Sequence, residues 1–267
     1  MAKKNLSIDQ FYSPDAPFAN EFRRLLVKIK KEGANQEVKS ILFTSAMLSE
    51  GKSTICSLLG LTSARQNGLK TLIVDSDLRR PSIHKFFHLE RTKGLTDILV
   101  DGFDTGEAIK KTKVEKLDVI TSGTNYEHPA DIFDAESIGY MLDELKFYYD
   151  LILVDSAPLM PVSDPLLLSD KTDKVILVVK AGSTDREVVK QAKGMLNNSN
   201  NKILGVILNN LNNSLPYYYD YQYYGYDYSP SKGSTDSQVK LNPDKINKRK
   251  TKKFNKKPDS NQTKNIS

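Results

Sequence analysis

Tryptophan is absent from this sequence, cysteine occurs once, at Cys56, and no apolar run approaches the ~20 residues that a membrane-spanning helix requires. Each absence removes a class of protein. A lone cysteine excludes an internal disulfide framework. Without a membrane-length run, any membrane role must come from a partner or from surface charge. The opening MAKKNLSIDQ lacks the apolar core of a secretion signal, so the expectation is a cytosolic protein. Basic excess is also missing from most of the chain. Residues 229–267 hold eleven Lys/Arg against three Asp, a net of +8, whereas the whole chain carries +6, which leaves −2 for residues 1–228. The basic character therefore belongs to the C-terminal segment.

What is present is a succession of short, nearly continuous apolar runs rich in β-branched residues: 38–45 (VKSILFTS), 70–75 (KTLIVD), 117–121 (LDVIT), 150–155 (DLILVD), 174–180 (KVILVVK) and 202–208 (KILGVIL). Such runs suit strands buried on both faces of a parallel sheet. Helix-length stretches lie between them, notably 53–68 and 185–198, the latter with Asp185 as N-cap. The alternation predicts an α/β fold, a mostly parallel sheet flanked by helices. Before the first strand, Phe18, Phe22, Leu25, Leu26 and Ile29 recur at helical spacing in a segment that Gly33 ends.

Between the first strand and its helix stands AMLSEGKST, residues 46–54, a P-loop pattern with Ala46 in place of the usual first glycine. Backbone N–H groups of such a loop surround a β-phosphate, Lys52 adds charge toward the β/γ oxygens, and Ser53 can ligate Mg²⁺. Two further strands end in carboxylates, Asp75 and Asp77 in LIVDSDLRRP and Asp155 in LILVDSAP. Ligands of open α/β sheets bind beyond the carboxyl ends of the strands, so these groups should converge on the phosphate loop. Taken singly, each aspartate also has a plainer reading as a solvated strand end or helix cap. Eight of the thirteen tyrosines fall in one run near the C-terminus, Tyr217, Tyr218, Tyr219, Tyr221, Tyr223, Tyr224, Tyr226 and Tyr228. The residues after it are rich in Ser, Asn and Lys, a composition that does not bury enough surface to order itself.

The P-loop, the DxDxR segment, the hydrophobic-DxxP segment and the tyrosine run together resemble the bacterial tyrosine kinases of capsule and exopolysaccharide synthesis, in the soluble form found in Gram-positive bacteria. The resemblance covers roughly residues 15–228. It implies an ATP-dependent kinase domain at 1–215, a tyrosine cluster at 216–228 that is autophosphorylated in trans, and a disordered basic tail at 229–267. Ser49, Glu50, Gly51, Lys52, Ser53 and Thr54 would bind the phosphates of ATP, and Asn209 the adenine. Asp75 would take the tyrosine proton, while Ser53, Asp77 and Asp155 would hold or orient Mg²⁺. Arg79 and Arg80 would meet an acidic partner or phosphates. The implied partners are a membrane adaptor of the polysaccharide co-polymerase type, which would recruit the chain to the inner face of the membrane, a cognate phosphotyrosine phosphatase and further copies of the chain. The family's E-x-x-R-x-x-R oligomerisation motif is incomplete, reading Glu21, Arg24 and Val27.

Two other readings remain. Septum-site and plasmid-partition ATPases share the phosphate loop but carry a signature lysine where this chain has Met47. A nucleotide-gated scaffold could stack its tyrosines on single-stranded nucleic acid, although Asp220 and Asp227 among the rings oppose phosphate. The basic tail also suits an anionic membrane surface.

Overall fold

The computed structural model describes residues 7–32, 37–197 and 202–210. The tyrosine cluster, the basic tail and Gly33 lie outside the described residues. Among the described residues the strands are β1 (Ser40–Ser45), β2 (Thr71–Asp75), β3 (Lys110–Lys111), β4 (Leu117–Ile120), β5 (Leu151–Asp155), β6 (Lys174–Lys180) and β7 (Ile203–Asn209). The helices are α1 (Ile8–Phe11), α2 (Pro17–Glu32), α3 (Lys52–Asn67), α4 (Ile83–Phe87), α5 (Leu95–Asp101), α6 (Thr105–Ala108), α7 (Pro129–Ile132), α8 (Ala135–Leu145), α9 (Asp164–Ser169) and α10 (Arg186–Asn197). All six strands expected from the apolar runs are present. They form one sheet in the order β3-β4-β2-β5-β1-β6-β7, parallel throughout except that the two-residue β3 runs antiparallel to β4.

Alternation within the apolar runs explains the layers. Ile41, Phe43, Ile73, Leu153, Ile176 and Val178 point to one face, where they pack against α2, α3 and α4. Leu42, Leu72, Val74, Ile152, Val154 and Leu177 point to the other, beneath α5, α8 and α10. Both faces being covered, no polar position was available within the strands, which is why the runs read as continuous. The α3 helix lies between the sheet and α2, and Ile55, Leu59, Leu61 and Ala64 are all buried on it. Gly60 permits this closeness, since a Cβ there would lie 2.8 Å from Ile73 Cδ1.

Helices that run antiparallel to the strands end at the opposite edge of the sheet, and lysines just before the strands meet them there. Lys116 Nζ donates to the Gly68 carbonyl at 3.0 Å, Lys39 Nζ to that of Lys146 at 3.0 Å, and Lys202 Nζ to those of Asp170 and Thr172 at 2.8 and 3.0 Å. Each cation satisfies carbonyls that a helix end leaves open. The carboxyl edge is left for the site. No helix among the described residues is long and apolar enough to cross a membrane.

Candidate functional site

The β1 strand delivers the chain to the loop 46–51, and α3 begins at Lys52. Two left-handed residues shape the loop, Ser49 at φ 60° and Gly51 at φ 93°. Gly51 is required twice over, because its backbone favours glycine and a Cβ there would strike the Asn209 side-chain amide. The opening turn of α3 directs the backbone N–H groups of Lys52, Ser53 and Thr54 out of the helix, where no intrahelical acceptor exists. That is an anion site by construction.

Sheet order brings the acidic strand ends to this loop. In the parallel ladder Asp75 lies directly opposite Asp155, and Asp155 opposite Phe43 of β1. Lys52 Nζ reaches Asp77 Oδ2 at 2.9 Å, with the two side chains only 11 and 3 % exposed. The Asp77 Oδ1 atom accepts the Arg80 N–H at 3.0 Å. Asp75 Oδ2 accepts the N–H groups of Ser82 and Ile83 at 3.2 and 3.1 Å, while its Oδ1 has no hydrogen-bond partner. Asp155 is fully buried, and neither of its oxygens has a partner of regular hydrogen-bond geometry.

Three carboxylates thus surround one ammonium. Burial pushes the Asp155 carboxyl up to about 7, against the pull of Lys52 and the nearby Ser53 hydroxyl. Burial and the facing Asp155 hold Asp75 well above the ordinary carboxylate range. For Lys52, burial works against the charge, but Asp155, Asp77 and Asp75 outweigh it and raise its affinity for its proton. Cys56, buried on α3 beside the same carboxylates, is held as a neutral thiol, chiefly by burial.

Among the described residues no group of three or more His, Cys, Asp or Glu side chains could hold a metal ion by itself. Mg²⁺ does not need one, since it keeps several waters and binds through one or two carboxylates plus phosphate oxygens. The oxygens of Asp155, which no hydrogen bond of regular geometry satisfies and which lie near the Ser53 hydroxyl, fit such an ion. Asp77 is occupied by Lys52.

The AAA domain family model matches residues 49–203. The putative tyrosine-protein kinase CapB of Staphylococcus aureus is 34 % identical over 232 residues, which cover 85 % of this chain and 100 % of that protein. The chain belongs to the bacterial tyrosine-protein kinases. Among solved structures the kinase resembles the chimerical protein CapA2B2, with 31 % identity, a TM-score of 0.70 and coverage of 78 % of this chain and 90 % of that one. It also resembles the kinase domain of Escherichia coli tyrosine kinase ETK, with 26 % identity, a TM-score of 0.71 and coverage of 78 and 82 %.

Of the residues predicted from sequence, the fold of the kinase brings Ser49 to Thr54, Asp75, Asp77, Asp155 and Asn209 to one edge. Two of them also make contacts within the protein. The Glu50 side chain is buried and turned away from the loop's mouth, so it is the backbone of residue 50 that is available to phosphate. The Asn209 amide donates to the Glu50 carbonyl at 2.9 Å, and its oxygen accepts the Asn210 N–H at 2.8 Å. Arg79 is exposed and pairs with Asp164 at 3.5 Å, which ties the segment after β2 to the start of α9. The tyrosines of the cluster lie outside the described residues. Sequence reasoning missed Asp164 and Thr184. The cue for Thr184 was its place just past the carboxyl end of β6, on the edge where the other site residues gather.

Proposed function

We propose that this kinase transfers the γ-phosphoryl group of ATP to tyrosine hydroxyls, those of its own C-terminal cluster in another copy among them, and serves capsular or exopolysaccharide synthesis with a membrane adaptor. The observation that carries the reading is the Lys52–Asp77 pair set beside the buried Asp155 carboxylate and the free Oδ1 of Asp75. Phosphoryl transfer passes through a loose transition state, so the protein contributes mainly alignment and neutralisation of spreading charge. Lys52 and the N–H groups at the start of α3 would hold the phosphates. Ser53 and Asp155 would hold Mg²⁺, joined by Asp77 once phosphate oxygens compete for Lys52. When bound, the ion would supply positive charge at the β/γ oxygens. Asp75 keeps one oxygen free and an unusually high proton affinity, which suits acceptance of a phenol proton. Asn209 stands close enough to the loop to meet the base of the nucleotide. Arg79 and Arg80, both exposed, are placed to meet an acidic partner.

The partition and septum ATPase reading lacks its lysine. Met47 stands there instead, with a half-exposed side chain and its N–H bound to Glu50. Recruitment to the inner membrane face and removal of phosphate by a phosphatase follow from the same kinase reading. Its test is incubation of the purified chain with Mg-ATP, alone and with the adaptor's cytoplasmic segment, followed by mass-spectrometric mapping beside Lys52→Met. Phosphate is expected on Tyr217 to Tyr228 in the wild type only. Unmodified tyrosines under both conditions would sink the proposal.

A further inference from the structure

A carboxylate in the middle of a phosphate-binding loop is out of place, because it repels the ligand. Glu50 is that residue, and it is 2 % exposed. Its Oε2 accepts the Met47 N–H at 2.8 Å within the loop itself. Its Oε1 accepts the Lys180 N–H at 3.3 Å, at the end of β6, and the Thr184 hydroxyl. Its main-chain carbonyl takes the Asn209 amide at the end of β7. One residue thus fastens the loop to two strands far along the chain.

The segment after β6 is built to present Thr184. Lys180 pairs with Asn209 in the ladder, and the Ala181 N–H donates to the Asn209 carbonyl at 2.9 Å. The chain then turns through Gly182 at φ 70°, and the Ser183 and Thr184 N–H groups both return to the Lys180 carbonyl, at 3.3 and 3.2 Å. This turn directs the Thr184 side chain back at Glu50. On the outer side of the contact lies a cavity of about 350 Å³ lined by Leu48, Lys180, Thr184, Asp185 and Val188 among others. The hydrogen bonds to Glu50 join the phosphate loop to the β6–α10 turn at the margin of this cavity.

We infer that Glu50 and Thr184 are positioning residues for the nucleotide: the hydroxyl of Thr184 keeps the Glu50 carboxylate turned out of the phosphate loop and fixes the loop's backbone donors for ATP. The inference rests on the nucleotide reading of the site. Glutamine cannot replace Glu50, because its single amide oxygen serves one side of the network and its NH₂ meets a backbone N–H donor, of Met47 or of Lys180, on the other. Valine at 184 keeps the shape of threonine without the donor, and serine keeps the donor.

The full-length chain is assayed for Mg-ADP affinity by calorimetry and for its steady-state constants with Mg-ATP. Because the Thr184 hydroxyl donates to a carboxylate and its loss frees Glu50 to enter the loop, Thr184→Val is expected to weaken Mg-ADP about ten-fold, which is about 1.4 kcal/mol. Loss of uniform binding raises KM for ATP by a similar factor while kcat at saturation stays within about two-fold. Thr184→Ser is expected to restore affinity to within about two-fold of wild type, because the donor is retained. In the Glu50→Gln background Thr184→Val should add no further loss, as the two residues act through one contact. Wild-type affinity in Thr184→Val overturns the inference. So does an equal loss in Thr184→Ser, additive losses in the double variant, or a fall in kcat at unchanged KM. Failure of the wild type itself to bind Mg-ADP would instead bring down the nucleotide reading beneath it.

Discussion

Lys52 and Asp155 both belong to the proposed phosphotransfer site, yet their removal should move stability in opposite directions. Lys52→Met strips the cation from Asp77, whose side chain is 3 % exposed. Breaking a buried pair from one side is expected to cost about 3 kcal/mol of nucleotide-free stability, read as a lower Tm, together with at least a ~100-fold loss of phosphotransfer. Asp155→Asn removes a buried charge that no hydrogen bond of regular geometry satisfies, so that variant should melt higher than wild type at pH 8 while losing phosphotransfer as well. The sign with pH follows from its raised value of about 7. Between about pH 4 and 7 the folded protein holds a proton on Asp155 that the unfolded chain releases, so rising pH lowers wild-type stability through that window, and the loss is complete above it. The gap between Asp155→Asn and wild type should therefore widen from pH 5 to pH 8, reaching on the order of 2–4 kcal/mol. Thermal melts at fixed ionic strength across that range check it. A constant gap would show that Asp155 titrates alike in both states.

At the scale of elements, two glycines separate binding from packing. Gly51→Ala places a methyl against Asn209 at a left-handed backbone position and should abolish Mg-ADP binding at about 1–3 kcal/mol of stability. Gly60→Ala forces α3 away from Ile73 on β2 and should cost a similar ~1–3 kcal/mol by overpacking. Because Gly60 lies two turns into the helix, Mg-ADP affinity should survive it, and calorimetry on both variants tests the division. The strands and the loop 46–54 were legible in sequence because each depends on local periodicity or fixed spacing. Lys110–Lys111 was not, since two residues show no alternation, and its antiparallel pairing with β4 comes from tertiary contact alone. The small helices α4 to α7 and α9, all of seven residues or fewer, are likewise too short for an apolar stripe to declare itself. The inward turn of Glu50 was hidden for a different reason: its partners Lys180 and Thr184 are distant in sequence and carry no motif.

At the scale of the whole molecule, charge is divided between a near-neutral domain and a C-terminal segment of +8. Each phosphotyrosine adds about −1.5 to −2 charges, so modification of most of the eight tyrosines outweighs that segment. Unphosphorylated protein should co-sediment with anionic vesicles at low salt and the phosphorylated form should not. Equal binding of both would dismiss such a switch. Convergence of Asp75, Asp77 and Asp155 on the loop was inferable from strand ends, whereas the order that sets Asp75 beside Asp155 came only with the sheet. That adjacency has a calorimetric consequence. At neutral pH the buried Asp155 carboxyl, raised to about 7, holds a proton in part of the nucleotide-free molecules, and a divalent cation arriving with ADP would displace it. Titrations of Mg-ADP at pH 7 in two non-phosphate buffers of different ionisation enthalpy should then differ in observed heat in the direction of proton release, and the difference should shrink as the pH is raised above that value.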